Sequence, residues 1–342
     1  MTIAADPSTY PKTSKRLTGP FGDGKQRGDL GNDQNPASLV TAKSLLLKHF
    51  LCPGDVLVMT AAVESLAKQY PGRFRISVDT TCPEIWENNP HIERWDGSGQ
   101  GIELQYPAIH QSHLIRTGHF MGAFVQNLGQ QLNLPLQLQV NRPSLYLSEQ
   151  EKRSPLIEGE YFVVNAGVKN DCTNKAWGRK NYQAVVNHFK GKLTFVQIGE
   201  KHHKHEALDN VVSLIGQTKP RELFRLCYHS LGGIGPTTFL QHIFAALEKF
   251  YVCILGGREP KTWADYPTQT TFSTMGQLAC CKESACWKAR TIPLGDGDGK
   301  DQSLCSLPVL SGAEMIPACM EAITPEMIIN AIETYIRYGK RS

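Results

Sequence analysis

A chain of 342 residues is long enough for two domains, and 41% hydrophobic with 20% charged residues is the balance of a soluble globular protein. No apolar run reaches membrane-spanning length, and the start Met1-Thr2-Ile3-Ala4-Ala5-Asp6-Pro7 lacks a basic stretch followed by an apolar core, so no transmembrane segment and a cytoplasmic location are expected. A net charge of +4 tolerates an anionic ligand without indicating nucleic acid, and ten cysteines without an export signal argue against a disulfide scaffold.

Residues 1–36 are rich in Pro, Gly, Asp, Asn, Lys and Ser without apolar periodicity and are expected to form a flexible arm. From Thr41 the pattern changes. Leu45 to Leu51 lead through a Gly54-Asp55 turn into Val56-Leu57-Val58-Met59; Ala61 to Tyr70 is expected to be helical, and Arg73 to Asp79 a strand. That is a β-α-β unit, which implies a parallel sheet. A short helix stopped by Pro90 follows, then a helix from His119 to Leu132. The periodicity fades between Asn141 and Lys152, which places the boundary between a first domain, residues 37–150, and a second, residues 151–342.

The second domain opens with a strand, Tyr161 to Asn165, and a polar loop to Lys180. A helix near Tyr182 to Phe189, a strand Leu193 to Ile198, the segment Val211 to Gly216 and a helix from Pro220 to Cys227 come next. The stretch Leu231 to Pro260 is expected to be glycine turn, helix, strand, glycine turn. Gly232, Gly233 and Gly235 would supply the turn, Pro236 the first helical position, and Thr237 and Thr238 a helix N-terminus able to receive phosphate. Phe239, Leu240, Ile243, Phe244 and Leu247 form one apolar stripe, Tyr251 to Leu255 a buried strand, and Gly256-Gly257 deliver Arg258 and Glu259 to its carboxyl end. The last helix starts at Thr324-Pro325. The expected fold class is α/β, two domains with a cleft between them.

Three patterns now converge: Pro53-Gly54-Asp55 to Thr60 before a helix, Asn165-Ala166-Gly167 with Asn174-Lys175-Ala176-Trp177 after a strand, and Gly235-Pro236 with Gln241-His242 and Ala245-Ala246-Leu247 before Gly256-Gly257. In order and spacing they resemble the heptosyltransferase-like glycosyltransferases of family 9, over residues of about 50 to 337. The resemblance implies a GT-B fold, Asp55 as catalytic base and Lys175 on the diphosphate of a nucleotide-sugar donor. The family's Asp-Ser/Thr-Gly before the second-domain helix is replaced here by Gly233-Ile234-Gly235-Pro236.

Each residue has a plainer reading. Asp55 alone is a turn former or helix cap. Lys175 is a loop lysine, Arg258 and Glu259 are a surface ion pair, and His242 is a half-buried histidine beside an apolar stripe. As donor ligands, Lys175 and Arg258 would meet phosphate, Glu259 a sugar or ribose hydroxyl, and Gly235, Thr237, Thr238 and His242 would complete the site. Glu64, Asp79 and Glu87 are the fallback carboxylates. Gly233-x-Gly235 lacks the third glycine of a dinucleotide fingerprint. Asp296 to Asp301 fails the calcium-loop pattern and is expected to be a polar turn, and Lys201 to His205 a solvated charged segment.

Cys281, Cys286, Cys305 and Cys319, with Cys280 able to replace Cys281, offer four thiolates for a structural zinc or iron ion; the plainer reading is buried small hydrophobes. They resemble the four-cysteine iron finger of the protein-heptosylating branch of the family. No catalytic metal is expected. The resulting expectation is an inverting transferase acting on a glycan, protein or modified nucleic-acid acceptor, with two competitors: transfer to a hydroxylated base of viral DNA, and a non-catalytic nucleotide-sugar-binding protein. The sequence does not specify the oligomeric state.

Overall fold

The computed structural model describes residues 42–106 and 118–339, and the arm expected over residues 1–36 lies outside them. The first half is a parallel sheet of order β2-β1-β3, made of β1 (Lys43–His49), β2 (Phe74–Thr80) and β3 (Gln100–Glu103). Along β1 the side chains of Leu45, Leu47 and His49 are buried, the alternation of a strand with one face on the core. Helix α1 (Pro53–Gln69) joins β1 to β2. It buries Val56, Leu57, Val58, Met59, Ala61, Ala62, Val63 and Leu66. A helix covered on nearly all sides is apolar nearly all round, which is why Val56 to Met59 carries no helical periodicity in the sequence. Pro53-Gly54-Asp55 is therefore the first turn of α1 rather than a loop before it. Helix α2 (Phe120–Leu132) packs on α1; His119 caps its start by accepting from the Met121 amide, and Asn133 ends it in a left-handed conformation.

The second half is a six-stranded parallel sheet of order β6-β5-β4-β7-β8-β9. Its strands are β4 (Tyr161–Val164), β5 (Thr194–Gln197), β6 (Val212–Ser213), β7 (Gly232–Pro236), β8 (Phe250–Gly256) and β9 (Gln269–Ser273). Helices α3 (Arg179–His188), α4 (Pro220–His229), α5 (Phe239–Ala246) and α6 (Pro325–Tyr338) cover it, and Tyr335 of α6 stacks on Phe250 with ring centroids 4.0 Å apart. The chain winds outward from β4 to β6, then crosses back to β7 and winds the other way. The crevice at the carboxyl ends of β4 and β7 is the topological switch point, where such sheets bind ligands.

The glycine-rich stretch corrects the sequence reading. Gly232, Gly233 and Gly235 lie inside β7 rather than in a turn, and Pro236 is its last residue rather than the first of a helix. None of the three has a positive φ. What they supply is close approach: a Cβ on Gly233 would sit 2.5 Å from Phe244 Cε2, and one on Gly235 would sit 2.8 Å from the Tyr251 hydroxyl. Glycines in the middle of a buried sheet thus let α5 and a neighbouring strand press onto β7.

The segment around the expected boundary is held at several points. The Ser144 amide donates to Thr60 Oγ1 of α1 at 2.8 Å, Leu145 and Leu147 are buried, and Arg221 of α4 donates to Glu151 at 2.8 Å. One buried apolar cluster runs from Leu45 and α1 through Phe244 and Tyr251, so the two halves share a core along the seam of α1 and α5. Asp296 and Asp301 are more than a polar turn: both accept from the guanidinium of Arg290, itself 1% exposed. No helix among the described residues is long and apolar enough to cross a membrane.

Candidate active site

On the first half, α1 begins where β1 ends. Pro53 fits the first helical position, and Asp55 in the third closes a capping box: its Oδ2 accepts from the Cys52 amide at 3.2 Å. The Tyr106 hydroxyl, beyond β3, donates to the same oxygen at 3.3 Å. Burial raises the Asp55 carboxyl above its ordinary range, against opposing pulls from His49, the Cys52 amide, the Tyr106 hydroxyl and Lys175. A Cβ on Gly54 would lie 3.4 Å from His242 Cδ2 and 3.5 Å from Phe239 Cα, so its smallness seats this helix start directly against α5.

Across from it, Asn165 follows β4 and its Nδ2 donates to Thr238 Oγ1 at 3.1 Å. Thr237 is buried, and Thr238 is the N-cap of α5, leaving the first amides of that helix at the crevice. Lys175 ends a short 3-10 helix, Asn170–Lys175. Its ammonium donates to the Thr237 carbonyl at 2.9 Å and pairs with Glu259 at 2.8 Å. Glu259 is 2% exposed and also pairs with Arg258. Burial pushes the Glu259 carboxyl up, but Lys175 and Arg258 outweigh it and hold the group below its usual range. Arg258 in turn donates to the Lys288 carbonyl at 2.7 Å and lies over the Trp287 ring.

The structure thus gathers Lys175, Thr237, Arg258 and Glu259 into one cationic, hydrogen-bonded cluster at the switch point. Gly235 lies beneath it in β7. Asp55 belongs to the other half, and the charge of Lys175 is the smallest of the influences that favour its ionised form. His242 is placed differently: it is buried in the seam, its Nδ1 2.8 Å from the Tyr266 hydroxyl, and burial pushes its imidazole down to about 3. Among the fallback carboxylates, Glu64 pairs with Lys68 along α1 and accepts from the Ser144 hydroxyl, Asp79 is exposed on β2, and Glu87 pairs with Arg221. Sequence reasoning missed Tyr106, which the pairing of β3 with β1 brings to Asp55, and His49 at the end of β1.

Cys280, Cys281, Cys286, Cys305 and Cys319 line one pocket of about 240 Å³ directly behind Gly257. The donor chemistry suits a soft metal, while the sulfurs as placed make other contacts. Cys281 Sγ reaches toward the Leu278 carbonyl at 3.5 Å, Cys305 Sγ accepts from the Leu307 amide at 3.4 Å, and Asn174 Nδ2 is 4.0 Å from Cys286 Sγ. No three His, Cys, Asp or Glu side chains among the described residues converge on a common point that could hold an ion.

Two parallel Rossmann-like sheets around this crevice define a GT-B fold. In particular, the chain is similar to E. coli ADP-heptose LPS heptosyltransferase II, at 12% identity and TM-score 0.57 over 87% of this chain and 99% of that one. A family 9 glycosyl transferase from Veillonella parvula matches at 13% identity and TM-score 0.59, covering 88% and 99% of the two chains. The iron-containing dodecameric glycosyltransferase TibC of enterotoxigenic E. coli matches at 15% identity and TM-score 0.62, covering 88% and 78%. No family model and no curated protein matches the sequence.

Proposed function

We propose that the protein is an inverting glycosyltransferase of the family 9 type, transferring a heptose or hexose from a nucleoside-diphosphate sugar to an acceptor hydroxyl. The observations that carry the reading are a half-buried carboxylate, Asp55, at the start of α1 on the first half and the Lys175, Arg258 and Glu259 cluster on the second. In the reaction the acceptor oxygen attacks the anomeric carbon, its proton passes to Asp55, and the bond from that carbon to the diphosphate breaks. The leaving diphosphate gains negative charge as it departs. Lys175, Arg258 and the first amides of α5 are the groups available to neutralise that charge, and they act most strongly where water is excluded. The described acceptor side offers no feature that selects among glycan, protein and modified nucleic acid. Support for a heptose donor comes from the fold shared with the ADP-heptose heptosyltransferase of E. coli.

A panel of nucleoside-diphosphate sugars scored by thermal stabilisation tests this reading, since a ligand at 100 times its Kd adds about 2.7 kcal/mol to the folded state. A rise with at least one donor is expected. No rise with any nucleotide sugar or nucleoside diphosphate would reject the reading, and binding without turnover on any acceptor would reduce it to a binding protein.

A structural zinc or iron ion at Cys281, Cys286, Cys305 and Cys319 is the second part of the proposal. It is supported by the pocket these cysteines share and by the likeness of the fold to the iron-containing TibC. It requires the four sulfurs to turn toward one another. Elemental analysis of protein purified without chelator should find about one transition metal per chain, on the order of 10 kcal/mol of apparent binding; its absence would remove the claim.

A further inference from the structure

The cluster at the switch point draws Lys175 and Arg258 from different loops. Lys175 ends a six-residue 3-10 helix whose geometry breaks at Cys172, with φ −144° and ψ 46°. So short and interrupted a helix has too few internal hydrogen bonds to hold its own shape. Arg258 follows the end of β8. One stretch, Lys288 to Thr291, holds both. The Lys288 carbonyl accepts from Arg258 Nε at 2.7 Å, and the Ala289 carbonyl accepts from the Asn174 amide at 3.1 Å. Thr291 and Thr173 share two bonds: the Thr291 amide donates to Thr173 Oγ1 and the Thr291 hydroxyl to the Thr173 carbonyl, each at 3.0 Å. Thr173, Asn174 and Thr291 are all buried.

Within this stretch lies Arg290. Its Nε donates to the Asn170 carbonyl at 3.0 Å, at the start of the Lys175 helix. The far end of its guanidinium grips the turn that follows. Nη1 and Nη2 meet the two oxygens of Asp296 at 2.8 Å each, and Nη1 also donates to Asp301. Asp301 is fixed in turn by the Leu294 and Gly295 amides, both at 2.9 Å. The Leu294 amide and Arg290 hold its carboxyl down to about 2. The turn from Asp296 to Asp301 is thus an acidic socket. A planar fork with donors on three nitrogens can fill it and still bond Asn170, which the single nitrogen of a lysine cannot do.

We propose that Arg290 is a positioning residue for phosphate binding: seated in the Asp296–Asp301 socket, it locks Lys288–Thr291 against the Lys175 helix, so that Lys175 and Arg258 are presented together to the donor diphosphate. The phosphate role rests on the proposed transfer reading. The mechanical link between Arg290 and the Lys175 helix does not.

Hydrogen exchange reads that link without a ligand. In Arg290→Met the amides of Asn174 and Ala176 should exchange about tenfold faster than in the wild type, while those of β4 keep their rates. Unchanged exchange at Asn174 and Ala176 would overturn the proposal, whatever the protein binds. Calorimetry reads the phosphate role: ADP, GDP and UDP are titrated, and the tightest binder serves as probe. Its Kd should rise about tenfold in Arg290→Met, but by no more than about threefold when the same change is made in Lys175→Met, because Arg290 then has only Arg258 left to act through. Equal factors in the two backgrounds would overturn the positioning role and leave Arg290 a residue of general stability. If none of the three binds the wild type, the transfer reading and the phosphate role fall together, and the exchange comparison alone decides the mechanical link. If Arg290→Met fails to fold, Thr291→Val, which removes only the hydroxyl bond to Thr173, takes its place in both measurements.

Discussion

The Lys175 ammonium and the Glu259 carboxylate are 2.8 Å apart, and the carboxylate is almost wholly buried. Each makes the other's charge tolerable, so the pair should behave asymmetrically when broken. Lys175→Met leaves Glu259 with Arg258 and the Thr237 hydroxyl and should cost roughly 3 kcal/mol in a denaturant titration. Adding Glu259→Gln should recover most of that loss. If the double variant is no more stable than Lys175→Met, the loss is not caused by a stranded charge.

Gly233 is occupied by glycine because Phe244 and Tyr251 leave no room for more. A methyl there would meet Phe244 Cε2 at 2.5 Å and Tyr251 Cδ2 at 3.0 Å. Gly233→Ala should therefore destabilise by about 1–3 kcal/mol through overpacking of α5 against β7. A variant of wild-type stability would show that this face yields freely.

His242 should make the seam acid-sensitive. An ordinary histidine ionises near 6.5, whereas burial holds His242 at about 3 and lowers His119 in the same direction. Between those pH values the unfolded chain binds a proton that the folded chain refuses, so this contribution is complete above 6.5 and is lost as pH falls. The slope for one such group approaches about 1.4 kcal/mol per pH unit. His242→Gln, which can still meet the Tyr266 hydroxyl, should show a shallower fall in stability between pH 6.5 and 5 than the wild type. Parallel curves would mean that His242 does not carry this sensitivity.

Much of the second half was legible because its signals are local. The buried run Tyr161 to Val164 and the Thr324-Pro325 start of α6 need only a few neighbouring residues to be recognised. The glycines of β7 misled because glycine is also the commonest turn residue, and only the positions of Phe244 and Tyr251 show that close packing is the reason for them. The start of α1 was misplaced because a helix buried all round resembles a strand in composition. The pairing of Arg258 with Glu259 could be read from their adjacency, but neither its burial nor the joining of Lys175 to it could. His49 and Tyr106 gave no signal: His49 comes beside Tyr106, 57 positions along the chain, through the parallel pairing of β1 with β3.

The most direct test of the central claim is Asp55→Asn, assayed for turnover with the identified donor and acceptor and, by calorimetry, for affinity toward the product nucleoside diphosphate. Asparagine preserves the shape of the capping residue but cannot take the acceptor's proton. Turnover should fall by about 100- to 10,000-fold while the diphosphate Kd stays within about twofold, because the phosphate-binding groups belong to the other half. Retention of most wild-type turnover by Asp55→Asn would contradict the mechanism.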